Sequence, residues 1–223
     1  MITALFLRFL QEQAPQAQTL YILGDLFEAW LGDDMVLPEY AAPIAAMKSL
    51  SAQGVAINVM YGNRDFLMRE GFEQISGATL IYEPHIIQLG EQATLLLHGD
   101  SLCTDDVAYQ QFRTMVRNPQ WQNELLAKTP EQRLALAREY RAMSKTEMAK
   151  KDEAIMDVNQ DTVLATLRQQ HVRHLIHGHT HRPGFHHFEV DGQPAQRIVL
   201  GDWYERGNYL VCEGNQCRLE DFT

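Results

Sequence analysis

The run TLYILGDLFEAWLGDDMVLPEYAAPIAAMKSLSAQGVAINVMYGNRD, residues 19–65, sets the architecture. Thr19–Leu23 is a short apolar stretch closed by Gly24-Asp25. A helical pattern then covers Tyr40 to Gln53 and stops at Gly54. Val55–Met60 is a second apolar stretch, closed by Tyr61-Gly62-Asn63-Arg64-Asp65. Neither strand alternates polar with apolar, which is the pattern of parallel strands buried on both faces. Strand, helix, strand in this order predicts a parallel pair joined by a crossover.

Outward from this unit, Leu5, Phe6, Phe9 and Leu10 share one face at helical spacing. Arg8, Gln11 and Glu12 interrupt the apolar N-terminus, which carries no basic leader or small-residue cleavage site and so does not read as a signal peptide. Toward the C-terminus the pattern predicts a helix over Phe66–Ile75 and a hairpin of His85–Leu89 with Ala93–Leu97. From Val107 to Gln170 the chain reads as almost wholly helical, with breaks at Pro119 and Pro130. His171–Ile176 returns to strand and delivers His177-Gly178-His179-Thr180-His181. Phe185–Val190, Gln196–Leu200 and Tyr209–Cys212 close the chain as β structure. The expectation is a single α/β domain over residues 1–223, a two-sheet sandwich flanked by helices, with a helical insertion over about 107–160.

Hydrophobic content of 45% and charged content of 22% are those of a globular protein. No apolar run approaches the roughly 20 residues that span a bilayer. A net charge of −10 argues against a general nucleic-acid binder. Between Val107 and Met156, however, nine Lys and Arg face six Asp and Glu. A basic segment in an acidic chain suits an anionic substrate or anionic lipid heads, or is simply a solvated helical face. Cys103, Cys212 and Cys217 show no zinc-site spacing; Cys212 and Cys217 flank a candidate hairpin around Glu213-Gly214-Asn215-Gln216, and the expectation is reduced packing thiols in a reducing compartment.

Chemistry enters at the ends of the strands. Asp25, Asn63, His98, and the pair His179 and His181 each come just after an apolar run, beside a glycine. Ligands of open α/β sheets bind at such strand ends. A single Gly-Asp or Gly-Asn after a strand is ordinarily a turn or cap. Four segments in this order point their polar side chains to one place.

That ordered set (GD, GNRD, HGD, GHTH) resembles the signature of the calcineurin-like metallophosphoesterases over nearly the whole chain. The resemblance implies an αββα sandwich with a helical lid and two divalent metal ions, Mn²⁺ being the expected metal for mixed N/O ligation. It implies that Asp25 bridges the ions, that Asn63, His98 and His179 serve one of them, and that His181 serves the other. Arg64 stands where many members carry a histidine. Its guanidinium cannot give up a proton at physiological pH, but its fork can clamp phosphate oxygens. With YILGDLFEAWLGDD, HGDSLCTDD, AIMDVNQ and LIHGHTHRP, the sequence is similar to the UDP-2,3-diacylglucosamine pyrophosphatase family of lipid A biosynthesis. This resemblance implies hydrolysis of that nucleotide lipid to UMP and 2,3-diacylglucosamine 1-phosphate (lipid X), with attack at the uridine-side phosphorus. Arg64 and His98 are expected to carry catalysis. Asn63, Arg64, Asp106, Ser144, Met148, Lys151 and His179 are expected to meet substrate, Met148 standing where the family is usually polar. Phe112, Met115, Val116, Trp121, Leu125, Leu126, Tyr140 and Met143 are candidates to line an acyl-chain chamber. The implied location is cytoplasmic, peripheral on the inner membrane of a bacterium, with no nucleic acid and no obligatory protein partner.

The family also opens with a strand ending in Asp-x-His, and no such motif precedes Asp25. The expectation is that one strand and loop are missing, so that the first ion keeps only Asp25 and His181 and the chain is unstable and poorly active. Two other readings stay open. A different dinuclear phosphoesterase is disfavoured by Arg64 and the basic lid. A non-catalytic scaffold is favoured by the absent Asp-x-His and disfavoured by the retained ligands, Arg64 and Lys151.

Overall fold

Alternating side chains along the strands separate the molecule into layers. The computed structural model describes residues 2–148 and 155–223. Strands β1 (Thr19–Leu23), β2 (Ala56–Met60) and β3 (Thr79–Ile81) form a parallel sheet in that order. Helices α1 (Ile2–Glu12), α2 (Ala41–Ala52) and α3 (Glu70–Ser76) accompany it. Leu20, Ile22, Ile57, Val59 and Leu80 join one core with Phe9, Leu10, Ile44, Met47, Leu50 and Phe72 of the three helices. Their neighbours Tyr21, Leu23, Met60 and Ile81 instead belong to a core shared with Leu96, Ile176 and Ile198.

Those last three come from a second sheet. Its strands β4 (His85–Leu89), β5 (Gln92–Leu97), β6 (His174–His177), β7 (Gly184–Val190) and β8 (Gln193–Val199) lie in the order β4-β5-β6-β8-β7. The far face of this sheet carries Leu95, Leu97, Leu175 and Ala195, packed with Val163 and Leu167. Helices, sheet, sheet and helix therefore stack as expected. β5, β6 and β8 are parallel, so the strands that deliver His98 and His179 end side by side.

Between β5 and β6 the chain makes a helical excursion through α4 (Val107–Val116), α5 (Pro119–Leu126), α6 (Pro130–Met148) and α7 (Gln160–Gln170). Pro119 and Pro130 are the first residues of α5 and α6, so they start helices rather than break one, as their fixed φ and missing donor favour. The Asn118 carboxamide accepts from the Gln120 and Trp121 N–H groups, at 2.8 and 3.3 Å.

Three local expectations need correction. The helix expected over Phe66–Ile75 begins only at Glu70, because Arg69 is extended. The carboxylate that accepts from the Arg69 and Phe72 N–H groups belongs to the distant Asp33, at 3.2 and 3.1 Å. Arg69 supplies no side-chain cap to mark that start. The expected Tyr209–Cys212 strand is one arm of a hairpin, β9 (Gly207–Glu213) with β10 (Gln216–Phe222), hydrogen-bonded to neither sheet among the described residues. Its register sets Cys212 opposite Cys217 with their Cα atoms 4.1 Å apart, and they form a disulfide rather than two reduced thiols. Cys103 is free and buried.

Candidate metal centre

Two glycines allow the loops to meet. Gly24 has φ +90°, and a Cβ there would lie 2.5 Å from His98 Nδ1 and 2.6 Å from the Gly62 backbone. A Cβ on Gly62 would lie 2.2 Å from Asp25 Oδ1. The glycine beside each polar residue is thus the space into which the next loop packs. Asp25, His179 and His181 themselves take positive φ, at 53°, 66° and 55°. Left-handed backbone costs a non-glycine residue roughly 1–2 kcal/mol, and this strain gathers where the polar side chains meet.

The structure brings Asp25, His98, His179 and Asn63 together. The ligand-type atoms of Asp25, His98 and His179 lie within 4.8 Å of one another. Asn63 Oδ1 is 3.1 Å from both His98 Nε2 and His179 Nδ1. His98 Nδ1 faces the Leu23 carbonyl at 2.8 Å, and since a carbonyl only accepts, that nitrogen carries the hydrogen. The Nε2 lone pair then faces the Asn63 oxygen, 3.9 Å from Asp25 Oδ1. A cation between these acceptors, or a proton on His98, accounts for their close approach. Adjacent ligands around an octahedral cation with bonds of roughly 2.1 Å lie about 3.0 Å apart, so the donor set fits such an ion.

The electrostatics agree. Burial, reinforced by the charge of His98, lowers the His179 imidazole to about 4, leaving it neutral with a free lone pair at pH 7. Burial works against a charged His98 as well, but Asp25, Asp100 and Glu83 outweigh it and raise its pKa. The pocket therefore already stabilises a cation. His181 sits apart from the tight group, with Nδ1 3.7 Å from Asp202 Oδ2 and its ring 5.9 Å from that of Tyr204.

Arg64 lies over Asp25. Its N–H donates to Asp25 Oδ1 at 3.0 Å, and its Nε is 3.4 Å from Asp25 Oδ2. The Arg64 fork also reaches Glu28 at 3.1 Å and the Tyr204 hydroxyl at 3.2 Å. Asp106 accepts from the Tyr109 N–H at 3.1 Å, capping α4. Ser144 is exposed on α6. Met148 ends α6, but its side chain and the whole of Lys151 lie outside the described residues.

The expected acyl-chamber residues divide into groups. Val116 is buried, and Leu125 and Leu126 pack on the core of the first sheet, so these three serve the fold. Phe112, Tyr140 and Trp121 form an aromatic chain that reaches Phe66, just past Arg64. Met115 and Met143 are exposed.

Several supporting residues were not singled out by the sequence. Asp65 is fully buried and accepts from Gly62 N–H at 2.6 Å and Phe27 N–H at 3.3 Å, tying the Asn63 loop to the Asp25 loop. Burial, with Asp25 nearby, raises its carboxyl to about 6. Asp100, two residues past His98, is also buried; it accepts from the Tyr109 hydroxyl at 2.9 Å and pairs with Arg113 at 2.9 Å. Glu83 accepts from the His98 N–H and pairs with Arg113 at 3.1 Å. Asp202 follows Gly201 at the end of β8, the same Gly-Asp signal that marked Asp25. That signal was present in the sequence; the others depend on contacts between distant segments.

The chain is similar to known proteins over most of its length. The family model for calcineurin-like phosphoesterase matches residues 3–183. A UDP-2,3-diacylglucosamine hydrolase of Chromohalobacter salexigens is 52% identical over 202 residues, covering 91% of this chain and 82% of that protein. Proteins of the same description from Aeromonas salmonicida and Cellvibrio japonicus are 47% and 50% identical, covering 100% and 92% of this chain and 87% and 86% of their own lengths.

Proposed function

The chain belongs to the calcineurin-like phosphoesterase family, and on that footing we propose that it is a metal-dependent hydrolase of UDP-2,3-diacylglucosamine, releasing UMP and 2,3-diacylglucosamine 1-phosphate. The observation that carries the reading is the amide oxygen of Asn63 placed 3.1 Å from two imidazole nitrogens, with Asp25 and Arg64 alongside. Relatives at 47–52% identity that are described as acting on this nucleotide lipid support the choice of substrate.

Asp25, Asn63, His98 and His179 would hold one divalent ion, and Asp25 with His181 would face a second. When bound, such ions supply Lewis-acid polarisation of phosphoryl oxygens and activation of water for attack on phosphorus. Mn²⁺ suits the mixed oxygen and nitrogen donors. His98 and His179 present lone pairs because Leu23 fixes one tautomer and burial keeps the other ring neutral. Arg64 binds and orients phosphoryl oxygens through its fork and moves no proton. None is needed at the leaving group, because a departing phosphate monoester is stable as an anion. Asp106, Ser144, Met148 and Lys151 would contact the glucosamine and phosphate parts, the helical excursion acting as a lid. Exposed Val107, Met115 and Met143 support peripheral contact with the cytoplasmic face of a membrane. Among the described residues no helix is long and apolar enough to cross one.

The test is release of UMP from UDP-2,3-diacylglucosamine in Mn²⁺, beside p-nitrophenyl phosphate and an EDTA control. Metal-dependent UMP release, even if slow, with little p-nitrophenol is the expected result. The reverse preference would identify a different dinuclear phosphoesterase, and Mn²⁺ binding without turnover of either would identify a scaffold.

A further inference from the structure

Glu28 stands between two arginines from distant parts of the chain. Its Oε1 accepts from Arg64 Nη1 at 3.1 Å, and its Oε2 is in direct contact with Arg141 Nη2. Arg141 Nη1 also donates to the Glu28 carbonyl oxygen at 3.1 Å. Arg64 follows β2 beside Asp25, whereas Arg141 lies in α6, one turn before Ser144.

Three features distinguish this trio from Arg113, Arg117 and Arg133 of the helical excursion. Arg113, Arg117 and Arg133 are turned inward, with side chains 24%, 16% and 2% exposed, and each contacts acids or carbonyls of the core. Arg64, Glu28 and Arg141 are 30%, 46% and 51% exposed, so their pairing is solvent-screened and readily exchanged. Two guanidinium forks also share a single carboxylate, which has two oxygens for their ten N–H donors. A diphosphate diester offers four non-bridging oxygens and two negative charges, and so matches two planar forks better than one carboxylate does. Finally, the Arg64 N–H donates to Asp25 Oδ1, which places the trio at the rim of the candidate metal centre.

We propose that Glu28 is an internal stand-in for a substrate phosphoryl group, and that Arg141 joins Arg64 as a specificity-determining residue for the diphosphate. Substrate entry exchanges the carboxylate for a phosphoryl group, with no covalent change in the protein. The exchange transfers α6 from Glu28 to the substrate, so the lid helix senses whether a diphosphate is present. The proposal rests on the reading of the site as one that takes a nucleoside diphosphate ester.

Glu28→Gln and Arg141→Gln break the same ion pair, and this makes the test decisive. UDP is titrated by calorimetry into each variant and the parent in excess Mn²⁺, with circular dichroism confirming the fold. Competition predicts opposite shifts: the Kd for UDP falls about fivefold in Glu28→Gln and rises about tenfold in Arg141→Gln, the scale expected for gaining or losing one close charge contact. A structural latch predicts that both variants move the same way, and that result, or no change in either, overturns the proposal. If Arg141→Gln does not fold, Glu28→Gln decides alone, since weaker or unchanged UDP binding overturns the idea. UMP release is measured separately. Its absence in the parent would defeat the functional reading while leaving the UDP comparison interpretable, because binding needs no turnover.

Discussion

Asn63 occupies the point where three strand ends converge, and its neutral oxygen is the hub of the candidate metal centre. Replacing it with alanine removes the acceptor shared by His98 and His179. We expect Asn63→Ala to weaken Mn²⁺ binding by about 10–100-fold, with a parallel loss of UMP release at limiting metal. Calorimetric titration with Mn²⁺ checks the first and a metal-dependence curve the second; unchanged affinity would remove Asn63 from the donor set. At this scale the sequence was informative wherever a polar residue followed a strand and a glycine, because that arrangement puts a side chain at a sheet edge whatever the rest of the fold. It was silent on Asp65, Glu83, Tyr109 and Arg113. Asp65 and Glu83 accept from the Phe27 and His98 N–H groups 38 and 15 residues away, Tyr109 and Arg113 both meet Asp100, and buried carboxylates have no local pattern. Asp106 shows the opposite limit. Resemblance nominated it for substrate, while the structure shows its carboxylate capping α4, and one side chain can serve both.

Charge pairs from α4 and α6 join the helical excursion to the sheets, beside the apolar contacts of Leu125, Leu126, Val163 and Leu167. Arg113 and Arg117 of α4 and its margin reach Asp100 at 2.9 and 3.7 Å, and Arg117 donates to the Gly62 carbonyl at 2.9 Å. Arg133 of α6 pairs with Asp34 and donates to the Leu31 carbonyl at 2.6 Å. Much of the basic excess read between Val107 and Met156 is therefore matched to acids of the core rather than displayed to a membrane. Asp100→Asn leaves two arginines facing a neutral amide in a buried site, and should destabilise the protein by about 3–5 kcal/mol. Tyr109→Phe removes one hydrogen bond to the same carboxylate and should cost about 1–3 kcal/mol. Urea unfolding followed by circular dichroism measures both, and a small effect of Asp100→Asn would show that the α4 attachment is mainly apolar. Element boundaries were legible where caps are local, as with Asn118-Pro119. They were not where a distant residue satisfies the helix end, as Asp33 does for α3.

Four layers leave the candidate metal centre at one rim, built by loops that contribute strain and buried charge as well as ligands. A cation there should stabilise the whole fold by relieving repulsion between Asp25 and Asp65. EDTA is expected to lower the melting temperature, and Mn²⁺ at about 100 times its Kd to restore about 2.7 kcal/mol. Differential scanning fluorimetry checks this, and a melting temperature indifferent to Mn²⁺ would contradict it. The amino-acid sequence by itself determined the parallel strand pair, the two-sheet α/β order, and the residue types that gather at the strand ends. Apolar periodicity and glycine placement are local properties, and locally readable. Only the tertiary structure decided which carboxylates are buried, how Cys212 and Cys217 pair, and that Glu28 is shared between Arg64 and Arg141. Those facts depend on register and on contacts between segments far apart in the chain, which no local pattern encodes.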